Sequence, residues 1–162
     1  MGSETHVELR VTRRFNALPE HVFDAWADCE TAREWLIAAA REQMMCVEID
    51  ARVGGWFYLL ERRHGEQVSH VGEFVEVDRP RRLVFRLSVG KYAHDFDLVT
   101  VQIDRVGTGC ELNLTHETKP ERVQNASRGW TRALDGLATT VSRRGPTSCA
   151  VPANHGIDCR MG

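Results

Sequence analysis

Residues 119–142 read KPERVQNASRGWTRALDGLATTVS, and their spacing predicts one long amphipathic helix. Apolar side chains, with one hydroxyl among them, recur at steps of three and four residues: Val123, Ser127, Trp130, Leu134, Leu137 and Val141. Thr118 and Glu121 have the spacing of a capping box, and Gly145-Pro146 marks the end of the helix. At about 1.5 Å per residue the helix would be roughly 35 Å long, so its apolar stripe needs a sheet to cover it.

The chain before this helix alternates with the period of two that is typical of strands with one buried face. Val7 to Phe15 is the first such segment. Two short helices follow, one that starts at Pro19 and one over about Glu30 to Ala39. From Met45 onward, six further alternating segments separated by tight turns indicate an antiparallel meander. This order predicts an α+β fold in which a curved, seven-stranded antiparallel sheet wraps around the C-terminal helix, with two short helices after the first strand.

The length of 162 residues suits one domain with its own apolar core. We expect this domain to occupy residues 1–144. The remaining stretch, 145–162, reads GPTSCAVPANHGIDCRMG and has two prolines, three glycines and no periodicity. It is therefore predicted to be a disordered C-terminal tail.

Composition and charge argue against several classes of protein. The formal charge of −2 gives no reason to expect nucleic acid as a partner. No apolar run approaches the roughly 18 residues of a membrane span, and the N-terminus has no signal-peptide core. We therefore expect a cytoplasmic protein without a membrane span.

The five cysteines contain no CxxC pair. Cys29, Cys46 and Cys110 stand among apolar neighbours and are predicted to be small buried hydrophobes. The two cysteines of the tail, Cys149 and Cys159, match no zinc spacing even with the histidine between them. No metal site is therefore predicted, and the absence of a dinucleotide or phosphate-loop fingerprint gives no reason to expect a cofactor.

Five segments, in order along the chain, resemble the activator of heat shock protein 90 ATPase homologue family. They are FNALPEHVFDAWADCETAREWL (15–36), VGGWFYLL (53–60), GEFVEVDRPRRLVF (72–85), ELNLTHE (111–117) and RGWTRALDGLATTV (128–141). The similarity runs from about residue 7 to residue 142. It indicates membership of the START-like helix-grip superfamily, also called SRPBCC.

The resemblance implies a cavity between the sheet and the long helix that holds an apolar or amphipathic small molecule. Members of the superfamily use such a cavity for binding, for transport, or for cyclisation and dehydration of polyketides, and some act as cochaperones. The eukaryotic cochaperones of the family carry a further N-terminal domain with no counterpart in this sequence. We therefore do not expect direct activation of the chaperone.

Strand parity selects four polar residues that are expected to point into this cavity. Glu73, Asp97 and His116 share the parity of the apolar side chains on their strands, and Ser127 lies on the apolar stripe of the helix. Desolvated carboxylates and imidazoles have perturbed pKa values, which general acid–base catalysis exploits. In the alternative, Asp97 and His116 reach water at the cavity mouth, and Glu73 lies on the outer face beside a bend at Gly72.

Aromatic side chains are the expected walls for a ligand. Trp130, near the middle of the long helix, is predicted to contact the ligand, whereas Trp26 and Trp35 are expected to pack in the core. The full set of predicted ligand-binding residues is Trp130, Ser127, Leu134, Phe57, Phe85, Val99 and Leu112.

Three functions fit these features, and the fold alone does not rank them. The first is binding of a hydrophobic or amphipathic small molecule without chemical change. The second is an enzyme of the cyclase or dehydratase type, with Glu73, Asp97 and His116 as acid and base. The third is a protein-interaction role, as a homodimer or as a partner of a chaperone, based on an exposed apolar patch around Trp56 and Tyr58.

Overall fold

The computed structural model describes residues 6–39, 43–90 and 96–144. Its helices and strands follow in the order β1 (Val7–Phe15), α1 (Pro19–Ala27), α2 (Cys29–Ala39), β2 (Gln43–Ile49), β3 (Trp56–Arg63), β4 (Glu66–Asp78), β5 (Arg82–Val89), β6 (Asp97–Val106), β7 (Gly109–Thr118) and α3 (Val123–Arg144). One 3₁₀ turn, Pro120–Arg122, connects β7 to α3. The predicted element order is confirmed, whereas the predicted tail lies outside the described residues and the domain boundary stays a prediction.

All seven strands form one antiparallel sheet in the spatial order β1-β7-β6-β5-β4-β3-β2. Strands β2 to β7 make a meander, since short turns can join neighbouring strands only when these are antiparallel. β1 pairs with β7, so the segment that contains α1 and α2 crosses from one edge of the sheet to the other. The sheet curves around α3, which also contacts α1 and α2, and the predicted helix-grip fold is confirmed.

The C-terminal half of α3 supplies the apolar residues that hold this helix on the sheet. Leu134, Leu137 and Val141 are buried in one core with Leu112 and Leu114 of β7. Each fully buried leucine stabilises the fold by about 2 kcal/mol, so this half of the helix is firmly docked. Within the described part of the chain, no helix is both long enough and apolar enough to cross a membrane.

The start of α3 differs from the prediction. The helix begins at Val123, after the 3₁₀ turn, and Lys119 precedes that turn without a side-chain capping hydrogen bond. Thr118 is the last residue of β7 and is fully buried in the pairing with β1. The predicted capping box of Thr118 and Glu121 is therefore wrong, because the sheet retains Thr118. The predicted helix stop at Gly145 lies outside the described residues.

The two short helices are joined through their tryptophans. Nε1 of Trp35 donates a hydrogen bond of 2.8 Å to the backbone oxygen of Ala25, and the rings of Trp26 and Trp35 lie 5.1 Å apart. Both tryptophans are buried members of the core, so their predicted packing is confirmed. A buried indole N–H needs an acceptor, and this bond provides one across the corner between α1 and α2.

β4 has the opposite parity from the one predicted. His70, Gly72 and Phe74 belong to the concave side of the sheet, whereas Val75 is 46% exposed. Glu73 alternates with the inward residues and therefore lies on the outer face. The prediction assumed that the valines of β4 face the core. Phe74 is buried instead, because a phenylalanine buries more apolar area than a valine. A bulge directly after Phe74 then reverses the parity for the rest of the strand.

Gly72 is required by the packing of a ring on the neighbouring strand. A Cβ atom at this position would overlap the ring of Phe57 and the backbone oxygen of Arg86. The bulge of β4 lies between Phe74 and Glu76 and not at Gly72. The missing side chain instead makes room for Phe57 in the concave face of the sheet.

The cysteines match the expectation only in part. Cys110 is a buried free thiol, and burial raises its pKa to about 11. Cys29 is also free, but it is only half-buried. Cys46 is buried, as expected, and it is also disulfide-bonded.

Replacement of Gly72 by alanine is expected to destabilise the protein by about 1–3 kcal/mol, because the added methyl group overpacks the sheet against Phe57. Gly129→Ala is the matched control, since a Cβ atom at this helical position would meet nothing within 4 Å. The control is expected to be neutral or to stabilise the protein by up to about 1 kcal/mol. Urea denaturation of both variants gives the two free energies of unfolding, and equal values would contradict the packing role of Gly72.

Candidate functional site

A cavity of about 330 Å³ lies between the concave face of the sheet, the short helices and the N-terminal half of α3. Six Trp and Phe side chains line it: Trp26, Trp35, Phe57, Phe74, Phe85 and Trp130. Its volume is at the lower end of the range that is typical of small-molecule sites. The predicted cavity of the helix-grip fold is therefore present in this chain.

The phenylalanines of the sheet form one rigid part of the wall. Phe57 lies 5.3 Å from Phe85 and 5.6 Å from Phe74, measured between ring centroids, and the rings are tilted or edge-on. On the helical side, the rings of Trp26 and Trp130 lie 6.0 Å apart. Tilted aromatic contacts of this kind restrain each ring, so the apolar wall exists before any ligand binds.

A hydrogen-bonded chain of three side chains, two of them buried and one half-buried, lies at one end of the cavity. Nε2 of His116 lies 2.9 Å from Oδ2 of Asp97, and Nε1 of Trp130 donates to Nδ1 of His116, also at 2.9 Å. Sheet pairing brings Asp97 and His116 together. His116 of β7 pairs with Val99 of β6, and Asp97 precedes Val99 by two residues on the same face of β6. The third residue comes from α3, so this chain joins two strands to the long helix.

These two hydrogen bonds determine the tautomer of His116. An indole nitrogen can only donate, so Nδ1 of His116 accepts from Trp130 and carries no proton. Nε2 then carries the proton and donates it to the carboxylate of Asp97. Both ring nitrogens are therefore occupied, and a ligand reaches a nitrogen of His116 only by displacing Trp130 or Asp97.

Asp97 is held as a carboxylate in a buried position. Burial alone would raise its pKa, but the hydrogen bond with His116, the hydroxyl of Thr118 and, to a smaller extent, the charge of Arg122 together outweigh burial and lower the pKa. The guanidinium of Arg122 lies 3.5 Å from Oδ1 of Asp97, and its side chain is largely buried. The charge of Asp97 is thus compensated from two sides, as a buried ion requires.

A second polar group lines the cavity from β3 and β4. Nε of Arg63 donates to Oε2 of Glu61 at 3.0 Å, and Nε2 of His70 lies 3.4 Å from Oε1 of Glu61. Burial would raise the pKa of Glu61, but the contacts with His70 and Arg63 outweigh it and lower the pKa. The cavity therefore contains a second buried carboxylate with its own compensating donors.

Only some of the predicted ligand-binding residues line the cavity. Three of them line the cavity, namely Trp130, Phe57 and Phe85. Leu134, Val99 and Leu112 are fully buried in the apolar core instead. Ser127 is half-buried, and its neighbour Ala126 is the residue that faces the cavity. The stripe of α3 thus belongs mainly to the core, and the adjoining edge of the helix covers the cavity.

The predicted acid–base residues divide in the same way. Asp97 and His116 meet in the cavity lining, where they are only 8% and 5% exposed. Glu73 lies on the outer face of the sheet, as the alternative interpretation expected, and its carboxylate is 3.9 Å from Arg86. The structure therefore brings together two of the three candidates.

The polar lining of the cavity also contains residues that the sequence did not indicate, among them Glu61, Arg63, His70 and Arg122. Glu61 and Arg63 lie on the same face of β3 as Phe57, because each is an even number of residues away from it. The first five residues of β3 are all apolar or aromatic, so the sequence does not show which face is buried. His70 was hidden by the wrong parity of β4. Arg122 lies in a 3₁₀ turn where a regular helix was predicted.

The cavity combines apolar contact with charged hydrogen-bonding groups. Its carboxylates can accept hydrogen bonds, and its guanidinium groups can donate them. In the described ranges, no three side chains among histidine, cysteine, aspartate and glutamate are placed together to hold a metal ion. The arrangement therefore favours recognition of an organic molecule through hydrogen bonds and apolar surface.

Comparison with models of protein families identifies the family of this chain. The model of the family described as Activator of Hsp90 ATPase homolog 1-like protein matches residues 16–142. The chain belongs to this family. The match includes both polar groups of the cavity, and the resemblance to the family within the helix-grip superfamily is confirmed. Among proteins with curated descriptions, no significant match to this member of the family was found.

Solved structures share the fold of this family member along most of its length. A protein from Rhizobium leguminosarum is 23% identical with a TM-score of 0.73, and the match covers 87% of this chain and 97% of that one. The Mll3558 protein from Rhizobium loti is 25% identical with a TM-score of 0.71, at coverages of 86% and 99%. SA2116 from Staphylococcus aureus, a protein of unknown function, is 15% identical with a TM-score of 0.75, at coverages of 90% and 99%. These similarities support the fold.

The stability of the protein in acid is expected to depend on Asp97. Because folding lowers the pKa of this carboxyl, its contribution to the free energy of unfolding is present above the unfolded pKa of about 4. That contribution is lost as the pH falls through the lower, folded pKa. Asp97→Asn should therefore be less stable than the wild type at neutral pH, by a margin that shrinks below about pH 4.

Urea denaturation at a series of pH values measures this margin. Asp104→Asn is the control, because Asp104 is an exposed carboxyl on the same strand. The control should leave the free energy of unfolding nearly unchanged at each pH. A margin between Asp97→Asn and the wild type that stays constant down to about pH 2 would contradict the charged state of Asp97.

Proposed function

We propose that the protein binds a hydrophobic or amphipathic small molecule in the cavity between the sheet and α3. The observation that carries the proposal is a cavity of about 330 Å³ whose lining includes six aromatic side chains and two buried carboxylates. An apolar pocket with a few convergent polar groups is the usual form of a small-molecule site. Membership of the family supports the proposal, because the cavity is a general feature of the helix-grip fold.

The aromatic wall would supply most of the affinity. Apolar surface that leaves water contributes about 25 cal/mol per Å². The rings of Phe57, Phe74 and Phe85 already hold one another in place, so little ordering is needed when a ligand arrives. The polar groups would then determine the orientation of the ligand, since a buried polar group of the ligand needs a hydrogen-bond partner.

Trp130 connects the apolar wall to the polar end of the cavity. Its ring lies 6.0 Å from that of Trp26, and its indole nitrogen donates to His116. A ligand that leaves Trp130 in place uses it as a wall. A ligand with its own donor can replace the indole at Nδ1 of His116. In both cases Trp130 contacts the ligand, which makes it the residue to test.

Native mass spectrometry of the purified protein, together with mass spectrometry of an organic extract, tests the proposal. We expect the wild type to carry a small molecule and Trp130→Ala to lose it, with the affinity reduced by at least about tenfold. Trp56→Ala is the matched control, because Trp56 is 49% exposed and lies outside the cavity lining. The control should retain the molecule.

Circular dichroism should show that both tryptophan variants fold. Equal retention of the molecule by Trp130→Ala and the wild type would contradict binding in the cavity. Loss of the molecule from Trp56→Ala but not from Trp130→Ala would move the binding site to the outer face of β3. A wild-type protein that never carries or acquires a small molecule would overturn the proposal.

A second function, acid–base catalysis of the cyclase or dehydratase type, is favoured by the bond between Asp97 and His116. If Trp130 leaves Nδ1 of His116, that nitrogen can accept a proton from a carbon or oxygen atom of the ligand. The imidazolium that forms would be stabilised by the carboxylate of Asp97, and it could return the proton to a leaving hydroxyl. Glu73 has no part in this proposal, since it lies on the outer face of the sheet.

Incubation of the recovered molecule with the protein tests this chemistry. If His116 transfers protons, the wild type should convert the molecule to a product of different mass or retention time. His116→Gln and Asp97→Asn should lower the rate by at least about a hundredfold while each still binds the molecule. Conversion at an equal rate by His116→Gln would contradict the catalytic role, and an unchanged molecule would leave binding as the function.

Partners and location stay predictions beside this proposal. The exposed ring of Trp56, next to the half-buried Tyr58, supports an apolar surface for a second copy or a chaperone. Light scattering at two protein concentrations distinguishes a monomer from a homodimer.

The free thiols of Cys29 and Cys110 fit a cytoplasmic location, whereas the disulfide at Cys46 is more usual in an oxidising compartment.

A further inference from the structure

The charged side chains that line the cavity balance one another. Three are acidic and three are basic: Glu61, Asp97, Glu121, Arg63, Arg122 and Arg132. Apart from the two imidazoles, the lining therefore carries no net charge. A charged ligand would meet as many like charges as opposite charges and would also lose its hydration. The lining thus favours a ligand without a net charge.

The two buried carboxylates lie at different places across the sheet. Leu87 of β5 pairs with Asp97 of β6 on one side and with Gly72 of β4 on the other. His70 is the next inward residue of β4, and Glu61 belongs to β3, one strand further. With neighbouring strands about 4.8 Å apart, the strands of His70 and Asp97 are separated by about 10 Å, and Glu61 is further still.

On the sheet, the lining between these two polar ends is apolar. Leu87 and Val89 of β5 lie between them on the sheet, with Phe85 beside them. Trp35 and Trp130 line the same cavity from the helices. A molecule that spans the cavity from one polar end to the other therefore needs an apolar middle, because a polar group there would be desolvated without a partner.

We propose that the ligand is an uncharged, elongated molecule with an apolar middle and a hydroxyl-type group at each end. In this inference, which rests on the proposed binding function, Glu61, Arg63 and His70 form a second recognition point opposite Asp97 and His116. Each end offers acceptors and donors together. A hydroxyl at the second point can donate to the Glu61 carboxylate and accept from the Arg63 guanidinium, so both of its hydrogen-bonding capacities are used.

A matched pair of probes separates this inference from simple apolar binding. Decanol carries one hydroxyl, and decanediol carries one on each terminal carbon. In an apolar end of a cavity the second hydroxyl would lose its hydration and weaken binding by about tenfold. At the proposed recognition point it finds partners, so the wild type should bind decanediol at least as tightly as decanol. Isothermal titration calorimetry of the full chain measures both affinities.

Arg63→Met tests the recognition point itself. Methionine keeps the apolar stem and removes the guanidinium, and the position is about one-third exposed, so the variant is expected to fold. Its affinity for decanol should stay within about twofold of the wild type, while decanediol should bind about tenfold more weakly than decanol. Arg86→Met is the matched control, because Arg86 lies on the outer face with Glu73. The control should keep the wild-type ratio.

His70→Phe is a second test at a more buried position. A phenyl ring replaces the imidazole without a polar atom, so the preference for decanediol should fall as it does in Arg63→Met. Circular dichroism and the decanol affinity show whether this variant folds and retains its cavity. If both variants keep the wild-type ratio of the two affinities, the second recognition point is wrong.

Other outcomes separate the inference from the proposed function. Wild-type binding of decanediol about tenfold more weakly than decanol would overturn the inference and leave apolar binding in place. Tighter binding of decanoate than of decanol would show that the ligand is an anion and would also overturn it. Failure of all three probes would overturn the inference as well. The organic extract of the wild-type protein would then show whether a binding function remains.

Discussion

A buried carboxylate is costly unless donors compensate it, and the polar end of the cavity is organised by the compensation of Asp97. His116 donates to Asp97 from the neighbouring strand, and Trp130 donates to His116 from α3. One chain of hydrogen bonds therefore connects β6, β7 and α3. The same chain positions the proton of His116 and the ring of Trp130, so the geometry of the helix over the sheet and the chemistry of the site are coupled.

α3 serves two purposes along its length. Its C-terminal half buries Leu134, Leu137 and Val141, and these contacts stabilise the fold. Its N-terminal half lines a cavity, where side chains lack the packing partners that a filled core would provide. The docked half therefore holds the helix in place while the other half, which carries Trp130, leaves space for a ligand.

Sequence periodicity predicted the strands that are apolar on one face only, and it placed Asp97 and His116 in the cavity. It failed in β4 because of two local features. Gly72 faces inward because the ring of Phe57 needs the space, and a bulge follows Phe74. The pattern of apolar residues along β4 does not indicate either feature. The inward position of Gly72 depends on a ring of another strand, and the bulge is visible only in the pairing with β5.

The sequence by itself determined the order of the elements and the long amphipathic helix, because residues three or four apart in a helix, and two apart in a strand, share a face through local geometry alone. The tertiary structure decided which polar residues meet. Asp97 and His116 are 19 positions apart, and His116 and Trp130 are 14 positions apart. Glu61 and His70 meet only through the register of β3 and β4. Such contacts depend on strand register, bulges and helix docking, which the packing of the whole core determines.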